Sequence, residues 1–273
     1  MNTPSPSDES ASSPVIDTSV SHSARIWNYW LGGKDNYPID REVGDQVREV
    51  LPEIVDNARH DRAYLGRVVR YLTGEAGIRQ YLDIGTGLPT ADNTHEVAQR
   101  VAPETRIVYV DNDPLVLVHA RALLTSSPEG ATDYIDGDLR DPEPILERAA
   151  NTLDFGRPVA LMLLGVLHYL GDDEEAYATV NRLLDAVPSG SYLAIQHPTN
   201  SVTGTRMEEA VRRWNEAGGA PIYLRTPEQL AGFFDRLELL EPGVVSCSLW
   251  RPDHSPWGTP EAVDVFGAVG RKP

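Results

Sequence analysis

The stretch that decides the fold is Tyr81-Leu82-Asp83-Ile84-Gly85-Thr86-Gly87-Leu88-Pro89, an apolar segment that runs into two glycines one residue apart. Glycine lets a backbone turn sharply and lets a ligand approach it closely. A strand is predicted before this turn and a helix after it. In an open α/β sheet, ligands bind at the carboxyl ends of the strands. The stretch therefore predicts a ligand-binding turn, with a plain strand-to-helix turn as the alternative.

Predicted strands and helices alternate along the chain around this turn. Short apolar runs predict strands at residues 80–84, 106–110, 132–135, 158–164, 191–196, 237–240, 244–250 and 263–269. Apolar residues at helical spacing predict helices at 93–101, 115–124, 144–150, 174–187 and 206–217, and another that begins at Thr226. This alternation predicts an α/β fold with a doubly wound, Rossmann-like parallel sheet.

Three predicted helices, at residues 24–31, 38–50 and 53–73, precede the first strand. We interpret them as a cap over one end of the sheet. Residues 1–22 are rich in Ser, Thr, Pro and Asp and have little to bury, which predicts disorder. The predicted organisation is a disordered tail over 1–22, a helical cap over 23–75 and a ligand-binding domain over 76–273.

The charge of the chain limits its partners. Its formal net charge is −17, from 41 acidic and 24 basic residues, and such a surface repels phosphate backbones and anionic lipids. We therefore expect a small-molecule partner, with neither nucleic acid nor a membrane involved. The densest basic stretch, residues 59–70, also contains Asp61 and has helical spacing, so we interpret it as a solvated helix face. The sequence does not indicate an oligomeric state.

The cysteine and histidine content indicates no disulfide framework and no metal. The chain has one cysteine, Cys247, and its seven histidines lack the spacing of metal ligands. No stretch reaches the ~20 apolar residues of a membrane span. The N-terminus lacks the basic and apolar regions of a signal peptide. We therefore expect a cytoplasmic location.

The glycine turn favours one adenosine cofactor over another. A dinucleotide-binding turn needs a third glycine at position 90, where this chain has Thr90. Asp83 at the start of the turn repels a pyrophosphate but can pair with an ammonium. S-adenosylmethionine carries an ammonium and no phosphate. The pattern therefore favours S-adenosylmethionine, bound along Gly85, Thr86 and Gly87, over the nicotinamide dinucleotide of a Rossmann oxidoreductase.

Two further strand ends carry acids that suit the same ligand. Asp111 ends the second predicted strand, where a carboxylate can accept hydrogen bonds from both ribose hydroxyls, and Asn112 follows it. Asp138 lies just past the third strand. Its carboxylate can accept from the adenine amino group, and the backbone amide of Leu139 can meet the ring. The alternative for each acid is a polar turn.

Candidate catalytic groups lie on the loop after the fourth strand and in the first helix. His168 is a candidate general base, although an orienting group or a packed core histidine is an equal alternative, and His197 is a weaker candidate. Tyr29 is a possible positioning group. We predict that residues 24–36 form a lid in which Arg25 pairs with the methionine carboxylate and the glycine pair at 32–33 lets the lid open. A helix packed only for stability is the alternative.

Taken together, these segments resemble a family of actinobacterial S-adenosylmethionine-dependent methyltransferases that was long classed as a domain of unknown function. The matching segments are residues 24–36, 81–90, 110–114, 138–142 and 166–169, with the regions around 225–227 and 241–243. The resemblance implies a seven-stranded class I methyltransferase sheet with the last strand antiparallel. It also implies cofactor binding at Asp83, Gly85, Gly87, Asp111 and Asp138.

The resemblance does not imply an acceptor. We therefore expect methyl transfer from S-adenosylmethionine to a small-molecule acceptor. A non-catalytic S-adenosylmethionine-binding protein and an NAD-dependent oxidoreductase are the alternatives.

Overall fold

Successive strands are added to one side of the sheet and then to the other, so the order of the strands reverses at one point. The computed structural model describes residues 17–89, 91–123, 125–256 and 258–273. Of the tail expected to be disordered over residues 1–22, residues 1–16 therefore lie outside the described residues. The strands are β1 (Gln80–Ile84), β2 (Arg106–Asp111), β3 (Ala131–Asp136), β4 (Ala160–Leu164), β5 (Tyr192–Pro198), β6 (Glu238–Leu239), β7 (Val245–Ser246) and β8 (Val265–Arg271). Their order is β3-β2-β1-β4-β5-β8-β6, with β7 also paired to β8.

The five strands β1 to β5 are parallel, and β1 lies at the reversal point between β2 and β4. This confirms the predicted doubly wound, Rossmann-like α/β sheet. In the register of the sheet, Ile84 is paired with Val110, and Asp111 is paired with Asp136. The carboxyl ends of β1, β2 and β3 therefore reach the same edge, where an open α/β sheet binds its ligands.

The last strand, β8, runs antiparallel to β5, as the resemblance implies. The sheet has eight strands, as many as the apolar runs predict, whereas the resemblance implies seven. The short strands β6 and β7 both pair with β8. The strand predicted over residues 244–250 is reduced to Val245–Ser246 and followed by a 3-10 turn. The buried side chain of Arg67 donates to the carbonyl oxygens of Cys247 and Trp250, which draws this segment away from the sheet.

The helices lie close to the predicted positions. They are α1 (Ser23–Trp30), α2 (Pro38–Val50), α3 (Ile54–Gly74), α4 (Thr94–Val101), α5 (Pro114–Leu123), α6 (Pro142–Ala149), α7 (Asp173–Asp185), α8 (Thr205–Glu216) and α9 (Pro227–Gly232). A capping box begins α4, where the Asn93 amide donates to Glu96 Oε2 at 2.8 Å. No described helix is long and apolar enough to cross a membrane.

Helix α3, which we assigned to the cap, packs directly on the sheet. Its Tyr64 is fully buried, and the hydroxyl donates toward the carbonyl oxygens of Ile195 on β5 (3.1 Å) and Ala268 on β8 (3.0 Å). A Cβ at Gly267 would lie 2.6 Å from the Tyr64 ring, so this position has no room for a side chain. Helix α3 is therefore fixed to β5 and β8. Gln196 lies near the carboxyl end of β5, and Val265 begins β8.

The remaining cap helices pack against a helix from the other half of the chain. Apolar side chains of α1, α2 and the start of α3 form one buried cluster with α8. The indole rings of Trp30 and Trp214 lie 6.0 Å apart at their centroids. The cluster includes Ile26, Trp30, Val43, Val47, Leu51, Ile54, Ala58, Met207, Ala210 and Trp214. The cap is thus completed by α8 and covers the carboxyl edge of the sheet.

Candidate functional site

A cavity of about 290 Å³ lies between the carboxyl ends of the strands and the cap. One end is formed by the strand-end loops. These contribute Asp83, Gly85, Thr86, Gly87, Asp111, Asn112, Asp138 and Leu139. The other end is formed mainly by apolar side chains of the cap and α8, which include Trp27, Trp30, Ile54, Leu65, Met207 and Trp214. We call these two parts the strand end and the cap end.

The glycine turn after β1 requires both of its glycines. Gly85 has φ +79° and Gly87 has φ +64°, a backbone region that side chains disfavour. A Cβ on Gly85 would lie 2.6 Å from the side chain of Val166. A Cβ on Gly87 would meet no atom within 4 Å. The turn therefore packs tightly at Gly85 and leaves open space beside Gly87, where a ligand can approach the backbone.

Asp111 fixes this turn from the end of β2. Its Oδ2 accepts a hydrogen bond from the Gly87 amide, and its Oδ1 accepts one from the Asp113 amide, each at 2.9 Å. Burial raises the pKa of Asp111, while these two hydrogen bonds act against the rise. Each carboxylate oxygen has a second lone pair, so the group can accept further hydrogen bonds from a bound ligand.

Asp83, at the end of β1, is buried with one strong side-chain partner. Its Oδ2 accepts a hydrogen bond from the Thr94 hydroxyl at 2.6 Å, and the residue is 4% exposed. Burial raises the pKa of Asp83 to about 6, although Thr94 and the nearby Arg62 act to lower it. A cation that binds beside Asp83 would therefore stabilise a carboxylate that its surroundings leave under-compensated.

The loop after β3 lies on the same part of the cavity. The Asp138 carboxylate accepts from the Arg140 amide at 2.9 Å, and Arg140 also donates to the Tyr169 carbonyl oxygen at 2.9 Å. Leu139 is buried, whereas Asp138 is half exposed. This loop is therefore held in place by its own arginine, which also pairs with Asp138 Oδ2 at 3.3 Å, while the carboxylate stays half exposed.

The two histidines that we singled out occupy different environments. His168 lines the cavity, and its Nδ1 has no hydrogen-bond partner among the described residues. His197 does not line the cavity. Its Nε2 accepts from Arg225 at 2.9 Å, and its Nδ1 lies 2.7 Å from the Pro198 carbonyl oxygen.

Burial is the main cause of a pKa well below the ordinary value for His168, and it lowers the pKa of His197 to about 3. Both imidazoles are therefore neutral near pH 7. His197 is a packed core histidine, and His168 is a neutral group that faces the cavity.

The structure does not bring Arg25 and Tyr29 to the cavity, and this corrects the roles we predicted for them. Arg25 donates to the carbonyl oxygens of Asp17 (3.0 Å) and Val20, and its Nε lies 3.3 Å from Asp40. The Tyr29 hydroxyl donates to Asp45 on α2 at 2.8 Å. The cavity face of α1 presents Ala24, Trp27, Asn28 and Leu31. Residues 25 and 29 lie on another flank of the helix, because successive residues are about 100° apart.

The glycine pair after α1 has a packing role. The Asn28 Oδ1 atom accepts from the Asp35 amide and from Asn36 Nδ2, both at 3.0 Å. A Cβ on Gly33 would lie 2.3 Å from the Asn28 amide nitrogen. Gly32 has φ +80°, which suits the residue that ends a helix. These contacts account for both glycines without a hinge.

Sequence reasoning missed one face of α3. Ile54, Asn57, Asp61 and Leu65 follow each other at helical spacing, and all four line the cavity. Asp61 Oδ1 and Asn57 Nδ2 are shielded from solvent and have no hydrogen-bond partner within the described ranges. Burial raises the pKa of Asp61 to about 7. We had interpreted residues 59–70 as a solvated face, which is wrong for this stripe.

Arg62, next to Asp61, is also part of the cavity wall. Its guanidinium donates to the carbonyl oxygens of Ala91 and Asp92, each at 3.1 Å, and its charge lowers the pKa of Asp83. This arginine supplies positive charge at the strand end, where we had looked to Arg25. The sequence signal for the cavity face of α3 was the presence of two polar residues, Asn57 and Asp61, between the apolar Ile54 and Leu65 at helical spacing.

Comparison with known proteins gives one family. A family model described as S-adenosyl methyltransferase matches residues 9–273. The chain is similar to the structure of a DUF574 family protein from Streptomyces avermitilis MA-4680, with 44% identity over 94% of this chain and 99% of that chain and a TM-score of 0.90. It is also similar to a candidate methyltransferase from Thermobifida fusca YX, with 41% identity over 94% and 96% and a TM-score of 0.86. The search of curated proteins gave no match.

Proposed function

Because the chain belongs to the S-adenosyl methyltransferase family, whose methyl donor is S-adenosylmethionine, we propose that it methylates a small molecule held at the cap end of the cavity. The observation that carries this proposal is the continuity of the cavity. It joins the acids and glycines at the strand end to an aromatic chamber beneath the cap. The methyl donor at the strand end and an acceptor at the cap end would thus bind next to each other in one cavity.

We assign the methyl donor to the strand end. Asp111 would accept from the ribose hydroxyls, and the open side of Gly87 would face the ligand. Asp83 would pair with the ammonium of the methionine moiety. The chemistry of the residues fits this ligand, because a buried and under-compensated carboxylate suits an ammonium and would repel a phosphate.

The adenine would lie along the loop after β3. Asp138 would accept from the adenine amino group, and the Leu139 amide would meet the ring. Thr86 and Asn112 border the same end of the cavity. Arg62 is our candidate for the methionine carboxylate, because it is the cation that acts on Asp83.

S-adenosylmethionine supplies a sulfonium-bound methyl group that is already electrophilic. The chain has to orient the acceptor and exclude water, and this alignment accounts for much of the rate enhancement in such reactions. Helices α1 and α8 cover the cavity with the indoles of Trp27, Trp30 and Trp214. His168 would contribute a hydrogen bond as a neutral imidazole.

A small acceptor is supported by the shape and charge of the protein. The cap end is lined by side chains of α1 and α8 that lie over it, which favours an acceptor small enough to fit beneath them. The net charge of −17 disfavours nucleic acid. In this proposal residues 23–75 act mainly as the cover, and residues 76–273 hold the donor.

The test is calorimetry and thermal shift with S-adenosylhomocysteine, in parallel with NADH. We expect S-adenosylhomocysteine to bind and to raise Tm, because it binds the native state preferentially, and we expect NADH to do neither. Absence of binding at millimolar S-adenosylhomocysteine would refute the assignment. Cofactor binding without S-adenosylhomocysteine formation across a broad acceptor panel would instead favour a non-catalytic binding protein.

A further inference from the structure

The strongest unassigned feature is Asp61 at the cap end of the cavity. It lies one helical turn from Asn57 and one from Leu65, and all three line the cavity. Asp61 Oδ1 has no hydrogen-bond partner, and neither does Gln196 Oε1 at the end of β5, within the part of the chain that the structure describes. Gln196 and Asn57 are each 2% exposed. Buried polar atoms are nearly always hydrogen-bonded in proteins, so these atoms indicate a ligand.

The chemistry of Asp61 defines that ligand. An ionised carboxylate can only accept hydrogen bonds, so a ligand that binds it has to be a donor. Its surroundings are largely apolar, with Leu65 and Trp214 on the cavity wall, and the Trp27 indole that interacts with its side chain offsets only part of the effect of burial. No ion pair among the described residues includes Asp61, and the neighbouring Arg62 is held by two carbonyl oxygens. The charge of Arg62 offsets only part of the cost of burying this carboxylate, and a positively charged ligand in direct contact would offset the rest.

Resting on the function proposed above, we propose that the acceptor is an apolar amine and that Asp61 binds its amino group. An acceptor carboxylate would be repelled by Asp61. An acceptor alcohol can donate a hydrogen bond but cannot balance the charge. The indoles of Trp27, Trp30 and Trp214 would contact the apolar body of the amine, and aromatic side chains contribute large contact areas to such pockets.

The reaction balances with Asp61 as the proton acceptor. The bound ammonium gives one proton to the Asp61 carboxylate and becomes a neutral amine. The nitrogen lone pair forms a C–N bond with the donor methyl group as the C–S bond breaks, and the bonding pair goes to sulfur. The products are the methylated ammonium and S-adenosylhomocysteine, with the transferred proton on Asp61.

The two candidate bases differ in their suitability for this step. A base works best when its pKa is near the working pH. Burial raises the pKa of Asp61 to about 7, whereas the pKa of His168 lies well below its ordinary value. Asp61 is therefore the better proton acceptor at neutral pH.

The experiment measures binding of a matched series to the full chain saturated with S-adenosylhomocysteine. The series is 2-phenylethylamine, 2-phenylethanol and 3-phenylpropionate. Ligand-observed NMR and calorimetry measure the binding of each compound. We expect the amine to bind at least ~10-fold tighter than the other two, because only the amine can donate a charged hydrogen bond to Asp61. Asp61→Asn should abolish this preference by weakening amine binding, with little change for the alcohol.

The matched control is Asp56→Asn, an exposed acid on the same helix that pairs with Arg59, and it should leave the preference intact. A wild-type protein that favours the alcohol or the carboxylate, or that binds none of the series, would overturn the proposal. So would unchanged amine preference in Asp61→Asn. The wild-type comparison decides the matter even if that variant fails to fold.

The outcome for S-adenosylhomocysteine separates this proposal from the proposed function. If the wild type does not bind S-adenosylhomocysteine, the methyltransferase assignment fails. If it binds S-adenosylhomocysteine but not the amine, only the assignment of the acceptor fails. If Asp61→Asn loses affinity for S-adenosylhomocysteine by ~10-fold or more, Asp61 belongs to the donor site and the acceptor proposal is wrong.

Discussion

The backbone amide of Gly87 donates a hydrogen bond to Asp111 Oδ2 at 2.9 Å, so the acid that ends β2 holds the turn after β1. The same carboxylate is our proposed acceptor for the ribose hydroxyls. One side chain therefore both shapes the turn and contacts the ligand. Its removal should affect the turn and the affinity together.

Asp111→Ala should weaken S-adenosylhomocysteine binding by roughly 10- to 150-fold, because hydrogen bonds to a charged group contribute about 1.5–3 kcal/mol. Calorimetry at pH 7.5 measures the change. The control is Asp185→Ala, an exposed acid on α7 that pairs with Arg236, and it should bind as the wild type does. Unchanged affinity in Asp111→Ala would show that the ribose contact is wrongly assigned.

Affinity for S-adenosylhomocysteine should fall as the pH drops below about 6. Burial raises the pKa of Asp83 to about 6, and the ammonium of the ligand needs the ionised carboxylate. Below that pH the carboxyl is protonated before binding, so the affinity should fall by up to ~10-fold per pH unit. Calorimetry from pH 8 to pH 5 follows this change.

The control for this pH dependence is Asp83→Asn. Asp111 has a raised pKa at the same end of the cavity and remains in the variant. Any pH dependence that persists in Asp83→Asn belongs to Asp111 or to other groups. A flat profile in the wild type would contradict the pairing of Asp83 with the ammonium.

Asp83→Asn should stabilise the ligand-free protein at pH 7.5. The folded state raises the pKa of Asp83 from 3.8 to about 6. Its contribution to stability is therefore favourable below pH 4 and is lost as the pH rises through 6. Above that pH the ionised group costs on the order of 3 kcal/mol, from about 1.4 kcal/mol per pKa unit.

Thermal unfolding with and without ligand measures this trade-off. The variant should have a Tm several degrees higher than the wild type in the absence of ligand, with a smaller rise on addition of S-adenosylhomocysteine. A ligand-free Tm below that of the wild type would mean that the carboxylate stabilises the fold.

Gly267→Ala should destabilise the protein, because the new Cβ would lie 2.6 Å from the Tyr64 ring. Overpacking of this kind costs about 1–3 kcal/mol. Urea unfolding gives the change in the free energy of unfolding. Gly219→Ala is the control, since a Cβ there would meet no atom within 4 Å. Equal stability of the two variants would contradict the packing of α3 on β8.

The strand end of the site could be predicted from the sequence because local patterns determine it. Asp83 and Asp111 lie at the ends of parallel strands and Gly85 and Gly87 follow one of them, and the ends of such strands meet at one edge. The glycines and acids therefore come together whatever the rest of the chain does. The same patterns located the strands β1 to β5.

The cap end could not be predicted in the same way. The rotation of α1 that faces Arg25 away from the cavity depends on contacts between α1 and α8, which are far apart in sequence. Asp61 has arginines on both sides in the sequence, at 59 and 62, and only the packing of the cap over α3 shows that its carboxylate is enclosed. Charge pattern alone indicated a solvated helix.

The contact between Trp30 and Trp214 also sets an order of events during translation. The ribosome makes α1 and α2 long before α8, so the nascent chain carries their apolar face without its partner. That face is covered only after Met207, Ala210 and Trp214 have been synthesised. A chain that stops before residue 205 would expose a hydrophobic patch of the kind that promotes aggregation. The cap end of the cavity can therefore close only after α8 has been synthesised.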